Sequence, residues 1–488
     1  MIEFSNVEQY RENNRIEAKR AAGGLPYSVW ETYSSFANTM GGVILLGVEE
    51  GKDKSFRAIG LKDPERLIER FWRQLNDPRR VSVNILTRRD VHVEYTDQKA
   101  FVVIEVPRAR RADRPVYIEN DPLRGTYRRG GEGDYRCTPE EIEAMRRDAA
   151  AQTEDMLPLP TQELTALDPE TLADYRAAMR ALRPGHVFEA LSDEDFLERT
   201  GGAARDTQGA LRPTGAGLLL FGRWDAITRV YPSYRPVFCT ASDGKNGCQS
   251  DPERTLDCYA IPENLYHFYR RCSAGLRGLF RTSERGRSVT DEALINCLVN
   301  ADYRAKGSIH IQRLPDRLCF SNPGGFRIHP NAARSSATSD SRNKGLARLF
   351  NLIGIGHGTG GGIARMFADW RASGHPSPYF LEEFDPERTL LTLPYYRKKK
   401  KTSEKSTKKR TLPLAPAKQM IADYLTERID ARAAQIASAV GLPLSRVRRL
   451  LADMQRERLV TVEGSGKSAR WRLKEKADAT AAALPESP

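Results

Sequence analysis

The sequence predicts an α/β and α+β multidomain chain that ends in a winged helix-turn-helix, and three observations carry that prediction. Its 488 residues are too many for a single hydrophobic core, so about three modules are expected. Over residues 1–150, β-branched runs interleave with apolar helical patterns, as in a small α/β domain. In residues 416–474, three helical patterns and a hairpin pattern follow a lysine-rich tether with winged-helix spacing. The expected organisation is a first domain at 1–150, a second α/β module at 160–396, a basic linker at 397–412, the winged helix at 413–475 and a disordered tail at 476–488.

The first module is organised around Glu12–Glu50. Glu12 and Glu17 precede Lys19, and an apolar helix runs through Val29, Trp30, Tyr33, Phe36 and Ala37. A tight Asn38-Thr39-Met40-Gly41-Gly42 turn leads to a buried strand, Val43–Val48, that ends on Glu49 and Glu50. Acids from two places are expected to meet at one sheet edge beside Lys19, which would give hard oxygen ligands for Mg²⁺ or Mn²⁺ and a cation for a phosphate. The plainer reading pairs these acids with nearby Lys and Arg. Next come a helix at Pro64–Leu75 and strands at Val81–Leu86, Val91–Tyr95 and Phe101–Val106. Arg108, Arg110, Arg111, Arg114, Arg124, Arg128 and Arg129 crowd the following segment, and the guanidinium fork suits phosphate, so a nucleic-acid face is expected there.

A Pro-rich acidic stretch, Thr153–Pro160, marks the first expected boundary. Helices follow from Asp168 and over Asp193–Thr200, and then an apolar run after Pro213 that reads as helix or strand. Glu292, Asn296 and Asn300 recur every four residues and so share one helical face, and amides in a row on a packed helix are costly to bury unless something binds them. A hairpin at Ser308–Ser321 runs into Asn322-Pro323-Gly324-Gly325, and a glycine-rich loop, Gly354–Gly362, opens a helix whose N-terminus suits an anion.

The tether Arg397–Arg410 holds nine Lys or Arg against one Glu and supplies +8 of the chain's +13, a charge that points to a polyanionic partner. In the winged helix, the third helix begins at Ser445, buries Val447, Leu450, Leu451 and Met454, and turns Arg446, Arg448 and Arg449 outward, while Lys467 sits in the wing loop. These favour DNA, although a winged helix also serves protein contacts. The seven cysteines have no paired spacing and are expected to be reduced thiols. Neither a membrane span nor a signal peptide is indicated, so a cytoplasmic location and no membrane partner are expected.

The pattern E-x-x-x-x-E-x-K followed by SFANTMGGVILLGVEE resembles the Schlafen/AlbA-type domain, and the match extends through Ala100–Val106 to Tyr127–Gly131. The resemblance implies nucleic-acid binding. In its nuclease members it implies metal-dependent cleavage of structured RNA such as transfer RNA, with Glu12, Glu17 and either Glu49 or Glu50 as metal ligands, Lys19 at the phosphodiester, and a use in stress or phage defence. Vertebrate members form a clamp from two copies; with one copy here, a homodimer would be needed to build it. The ordered E-x-x-x-N-x-x-x-N helix, Asn-Pro-Gly-Gly turn and glycine-rich loop, together with Arg342-Asn343, resemble a divergent GHKL-type ATPase domain of the RecG-like C-terminal kind. That implies ATP and Mg²⁺, with Glu292 polarising water, Asn296 on the metal, Asn300 on the same face, Asn322 and Gly324 near the adenine, and Gly358, Gly360 and Gly362 at the phosphates. Asn322 stands where that family usually has an Asp. Two functions remain: a nuclease gated by ATP, which the complete Glu/Glu/Lys pattern favours, and as the alternative an ATP-responsive winged-helix regulator of DNA that does not cut. A degenerate ATPase scaffold used for dimerisation is the plainer reading of the second module.

Overall fold

The computed structural model describes residues 15–51, 55–96, 99–131, 133–241, 256–259, 262–277, 284–328, 333, 340–356, 361–384, 386–395, 418, 421–422, 424–425, 430–440, 444–456, 459–464 and 469–473. The chain divides into two units, one of residues 1–373 with 377–393 and one of 374–376 with 394–488, so the expected boundary at 150–160 lies inside the first unit.

The first unit opens with β1 (Ile16–Lys19), α1 (Ser28–Asn38) and β2 (Gly42–Leu46). β1 runs parallel to β2, so Glu17 lies opposite Ile44 and Lys19 opposite Leu46. The expected strand Val43–Val48 breaks at Gly47, whose φ of +93° a side chain would strain. β3 (Val48–Glu50) then leaves the sheet to pair with β4 (Phe56–Ala58), which carries Glu49 and Glu50 away from β2. α2 (Pro64–Leu75) forms as its apolar spacing predicts, with Asp63 accepting from the Arg66 N–H at its start. The expected strand Val81–Leu86 does not form. Val81 makes only an isolated bridge to Ile118, and the buried Tyr33 hydroxyl takes over the local backbone, donating to the Val83 carbonyl and accepting from the Ile85 N–H. β5 (Val91–Thr96) and β6 (Lys99–Val106) complete a sheet of order β1-β2-β6-β5. One face of it packs on Trp30, Tyr33, Phe36 and Phe71, where Trp30 and Phe71 stack 5.3 Å apart.

After the short turn α3 (Pro122–Gly125) come the hairpin β7 (Tyr127–Gly130) and β8 (Gly133–Arg136) and then α4 (Pro139–Ala149), which begins with a Thr138–Glu141 capping box. α5 (Pro169–Leu182), α6 (Asp193–Thr200), β9 (Ala203–Arg205), β10 (Leu211–Pro213), α7 (Gly215–Phe221) and α8 (Trp224–Val230) follow; the apolar run after Pro213 is therefore the helix α7, buried along its whole length. β11 (Val237–Ala241), β12 (Leu256–Tyr259), β13 (His310–Arg313), β14 (Arg317–Pro323), β15 (Tyr379–Phe384) and β16 (Glu387–Pro394) form a sheet of order β12-β11-β13-β14-β16-β15. α9 (Leu265–Arg277), α10 (Glu284–Asn300), α11 (Lys344–Leu352) and α12 (Gly362–Ala372) accompany it. Cys137, Cys272, Cys297 and Cys319 are free thiols, but Cys239 is disulfide-bonded, which corrects the expectation of reduced cysteines throughout; its register partner across β11 and β12 is Cys258.

The arginine crowd after β6 is where the sequence reading needs most revision. Arg108 forks onto both oxygens of Glu382, at 2.6 and 2.9 Å, and donates to the Phe326 carbonyl. Arg111 pairs with Asp340 and donates to the Asp148 carbonyl. Arg114 is buried, and burial pushes its guanidinium down to about 10 against the pull of Glu387 and Asp148. From the other side, Arg342 forks onto Asp148 at 2.9 and 2.7 Å. Burial alone would raise the Asp148 carboxyl, but Arg342, Arg327 and Arg114 more than offset this and hold it below its ordinary range. These arginines join the AlbA-like domain to the sheet module and are not a phosphate-binding surface.

In the second unit, β17 (Ala431–Arg432), α13 (Ala433–Val440), α14 (Leu444–Arg456), β18 (Val460–Glu463) and β19 (Arg470–Leu473) enclose a core of Ile421, Leu425, Ile436, Val447, Leu451 and Met454. The three strands are ordered β17-β19-β18, the wing expected from the sequence. Replacing Asp148 by Ala should cost the full-length protein about 3–5 kcal/mol in urea denaturation, because buried Arg342 and Arg327 lose their countercharge. A cost below about 1 kcal/mol would show that this network does not hold the two modules together.

Candidate nucleotide pocket and nucleic-acid faces

The face of α10 predicted from its four-residue spacing lines a cavity of about 490 Å³. Glu292 is buried, while Asn296 and Asn300 are half-buried among fully buried neighbours. The helix itself meets part of the amides' demand: Asn296 donates to the Glu292 carbonyl and to Glu292 Oε1 at 2.8 and 3.0 Å, and Asn300 donates to the Asn296 carbonyl. Asn322, at the end of β14, is buried, lines the same cavity and donates to the Pro323 carbonyl. Gly324 sits at φ +89° in the turn that follows, its carbonyl held by Thr389, another lining residue. Gly362 begins α12 directly over Glu292: a Cβ there would come 1.8 Å from Glu292 Oε1. Gly358 and Gly360 lie outside the described residues.

Sequence reasoning did not single out Lys344 and Arg348, which stand one helical turn apart on α11 and bring cations to the cavity wall. Their signal was their place just after Arg342-Asn343. That pair caps α10: Asn343 donates to the Val299 and Ala301 carbonyls, and Arg342 to the Asn300 carbonyl. An acid, three amides, two cations and a glycine helix start around a cavity of this size fit a nucleotide with a divalent ion.

The acids of the first module do not gather in this way. Glu17 is buried, with Lys19 Nζ 2.5 Å from Oε1 and Arg129 Nη2 2.8 Å from Oε2. Arg129 is buried as well and also pairs with Asp134, which accepts from Thr32. Arg128 pairs with Glu141 at 2.9 Å. Glu49 is half-exposed near Arg20 and Glu50 is exposed at the end of β3. Glu12 lies outside the described residues, among which no three acids, histidines or cysteines are grouped to hold a metal. Among the described residues, the partners of the Glu17 carboxylate are the two cations Lys19 and Arg129.

The Asn-Thr-Met-Gly-Gly turn has a structural account instead. Buried Asn38 donates to the Val116 and Tyr127 carbonyls and accepts from the Val116 N–H, which ties α1 to two later segments. Gly41, at φ +74°, would put a Cβ 2.7 Å from the Val106 carbonyl. In the second unit, Arg446, Arg448 and Arg449 are exposed on α14, whose Val447, Leu451 and Met454 are buried, as the sequence predicts; Lys467 lies outside the described residues.

Family models match the chain in four places. Residues 12–138 match Schlafen AlbA_2, 143–237 a domain of unknown function (DUF8451), 307–392 the C-terminal family of RecG-type ATP-dependent DNA helicases, and 421–464 the IclR helix-turn-helix. No curated protein matches. Among solved structures, the DIP2311 protein of Corynebacterium diphtheriae is 18% identical over 94% of this chain and 95% of its own, with a TM-score of 0.40. The N-terminal domain of a RecG-related protein from Nitrosomonas europaea is 30% identical over 28% of this chain and 95% of its own, with a TM-score of 0.23. The Zalpha domain of Carassius auratus PKZ, solved with Z-DNA, is 31% identical over 12% and 92%, with a TM-score of 0.12. A Schlafen-type domain, an ATPase-like module and a helix-turn-helix together define a protein of nucleic-acid-binding class. The chain carries a Schlafen/AlbA_2-type domain, a RecG-type C-terminal ATPase-like module and a terminal helix-turn-helix. Among the described residues, no helix is long and apolar enough to cross a membrane.

Gly362→Ala should abolish nucleotide binding in calorimetry while leaving the melting transition within a few degrees, since the added methyl must push the Glu292 carboxylate into the cavity. Unchanged affinity would separate Glu292 and Gly362 from the nucleotide.

Proposed function

We propose that the protein is an ATP-responsive regulator that binds nucleic acid and addresses duplex DNA through its winged helix. The observation that carries this reading is that one wall serves two purposes. Arg327 and Asp340 line the cavity beside α10. The same Arg327 donates to the Asp148 carbonyl at the foot of the AlbA-like domain, and the same Asp340 pairs with Arg111. A nucleotide that presses on this wall has a direct electrostatic route to the neighbouring domain, which is the differential contact that coupling requires. If ATP binds here, Asn322, with Gly324 in the turn that follows it, would take the adenine, Asn296 would support Mg²⁺ and Glu292 would polarise water. Arg446, Arg448 and Arg449 supply phosphate and base-edge contacts on duplex DNA.

In fluorescence anisotropy, Mg-ATP should shift the affinity for nucleic acid held by the AlbA-like domain, which this wall reaches, by roughly 5- to 150-fold, the usual range of a coupling free energy. Asp340→Asn should keep ATP binding and lose most of that shift. Tight ATP binding with no shift in the wild type would remove the regulator reading. Glu292→Ala should bind ATP but not turn it over, and equal turnover in the variant and the wild type would remove the catalytic role of Glu292.

A second reading is a metal-dependent endoribonuclease acting on structured RNA such as transfer RNA, gated by ATP, used in stress or phage defence and assembled as a homodimer. The observation that favours it is the carboxylate–lysine pair Glu17 and Lys19 on β1. It requires Glu12 and an acid from Glu49 or Glu50 to complete a Mg²⁺ or Mn²⁺ site. Labelled transfer RNA cut with Mn²⁺ by the wild type, but not by Glu12→Ala, would establish it. Glu12→Ala is the cleaner variant, because Glu17→Ala also strips a buried arginine of a partner.

A further inference from the structure

The hairpin β7–β8 has two chemically distinct faces: one is closed by a buried ion network, and the other, where Arg128 pairs with Glu141, keeps an exposed aromatic ring. Its register sets Arg128 opposite Tyr135, Arg129 opposite Asp134 and Gly130 opposite Gly133. Because side chains alternate along a strand, Arg129 and Asp134 share one face, and Arg128, Tyr135, Gly130 and Gly133 the other. The first face is the buried ion network with Glu17 and Thr32 described above.

On the second face, the Tyr135 ring lies down on the two glycines. A Cβ at Gly133 would stand 2.9 to 3.1 Å from ring atoms and the hydroxyl, and one at Gly130 would stand 3.2 Å from the same ring edge. The Arg128 guanidinium reaches over Gly130 too, 3.6 Å from that point, so a planar cation sits beside a planar ring on a glycine floor. Yet Tyr135 remains 55% exposed, so its other side faces outward. The space above it is a cavity of about 500 Å³ whose further walls are Thr39, Met40 and Phe384. Met40 is also an exposed apolar side chain. The ring is held on one side and open on the other, so stacking on it costs little side-chain entropy.

We propose that Tyr135, flanked by Arg128, is a stacking platform for an unpaired nucleobase, which makes single-stranded nucleic acid the ligand of the AlbA-like domain. The proposal rests on the nucleic-acid-binding reading above and goes beyond it in naming the strand state and the residue. In a duplex the base faces are occupied by neighbouring pairs, so only a splayed or single-stranded base can use such a surface. A ring stacks on any base, and a guanidinium beside it donates to the adjoining phosphate or stacks on the base face, so the platform is tolerant of sequence. Duplex DNA is left to the winged helix.

The test uses the full-length protein with a fluorescein-labelled single strand of about 12 nucleotides, in DNA and RNA forms, beside the same DNA as a duplex. Tyr135→Ala should weaken single-strand binding about tenfold, the order expected for one lost stacked base, with duplex binding unchanged. Tyr135→Trp should retain single-strand affinity and lose indole emission as the strand is added. The inference is overturned if Tyr135→Ala binds single strands as the wild type does, or loses single-strand and duplex binding equally. It is also overturned if the wild type binds duplex alone, a result that leaves the regulator reading standing. Binding of neither form by the wild type would remove both.

Discussion

Much of the first unit depends on one carboxylate. Asp148 stands near the end of α4, and its side chain receives a forked guanidinium from Arg342 while its carbonyl takes Arg111 and Arg327. Such an acid could not stay ionised in a dry interior alone. With three guanidiniums around it, its charge stabilises the fold and its burial becomes tolerable. Arg342 in turn reaches the Asn300 and Gly325 carbonyls, so the end of α10, the turn after β14 and the last helix of the AlbA-like domain are fixed against one another through a single side chain.

This constraint places the nucleotide cavity beside the domain junction. Arg327 and Asp340 cannot be rearranged by a ligand without disturbing the groups that seat the AlbA-like domain, since each is bonded on both sides. A buried ion network is a suitable coupling element because its pairs are either made or broken. Packed aliphatic contacts would yield more gradually.

The sequence foretold elements whose cause is local and missed what depends on distant partners. Helices α2, α13 and α14 were legible because their apolar spacing is set within one stretch of chain, with the Asp63 cap marking the start of α2. The shared face of Glu292, Asn296 and Asn300 was legible for the same reason, being fixed by helical periodicity alone. The Val81–Leu86 segment has strand-like residues, but the Tyr33 hydroxyl competes for its backbone from fifty residues away. The arginines at 108, 111 and 114 read as a surface because the acids they meet, Glu382, Asp340 and Glu387, come from far along the chain, 274 residues away for Arg108 and 229 for Arg111. Glu17 and Lys19 share one face of β1, a strand that was not among the expected elements. The buried Arg129 that takes up the second oxygen of Glu17 belongs to a hairpin whose register no local pattern revealed.

The interlocked charges also bear on how such a chain can be recombined. The Schlafen AlbA_2 match ends at residue 138, and the next family match begins at 143, so Asp148 is counted with the second region although its helix starts from the first. A graft cut between these matches would carry Arg108, Arg111 and Arg114 away from every acid that neutralises them. Exchange of AlbA-type domains between proteins of this architecture is therefore subject to a matching rule: the incoming domain must bring cations at these three positions, and the recipient must supply acids equivalent to Glu382, Asp340 and Asp148. Shuffled lineages should show the two sets changing together.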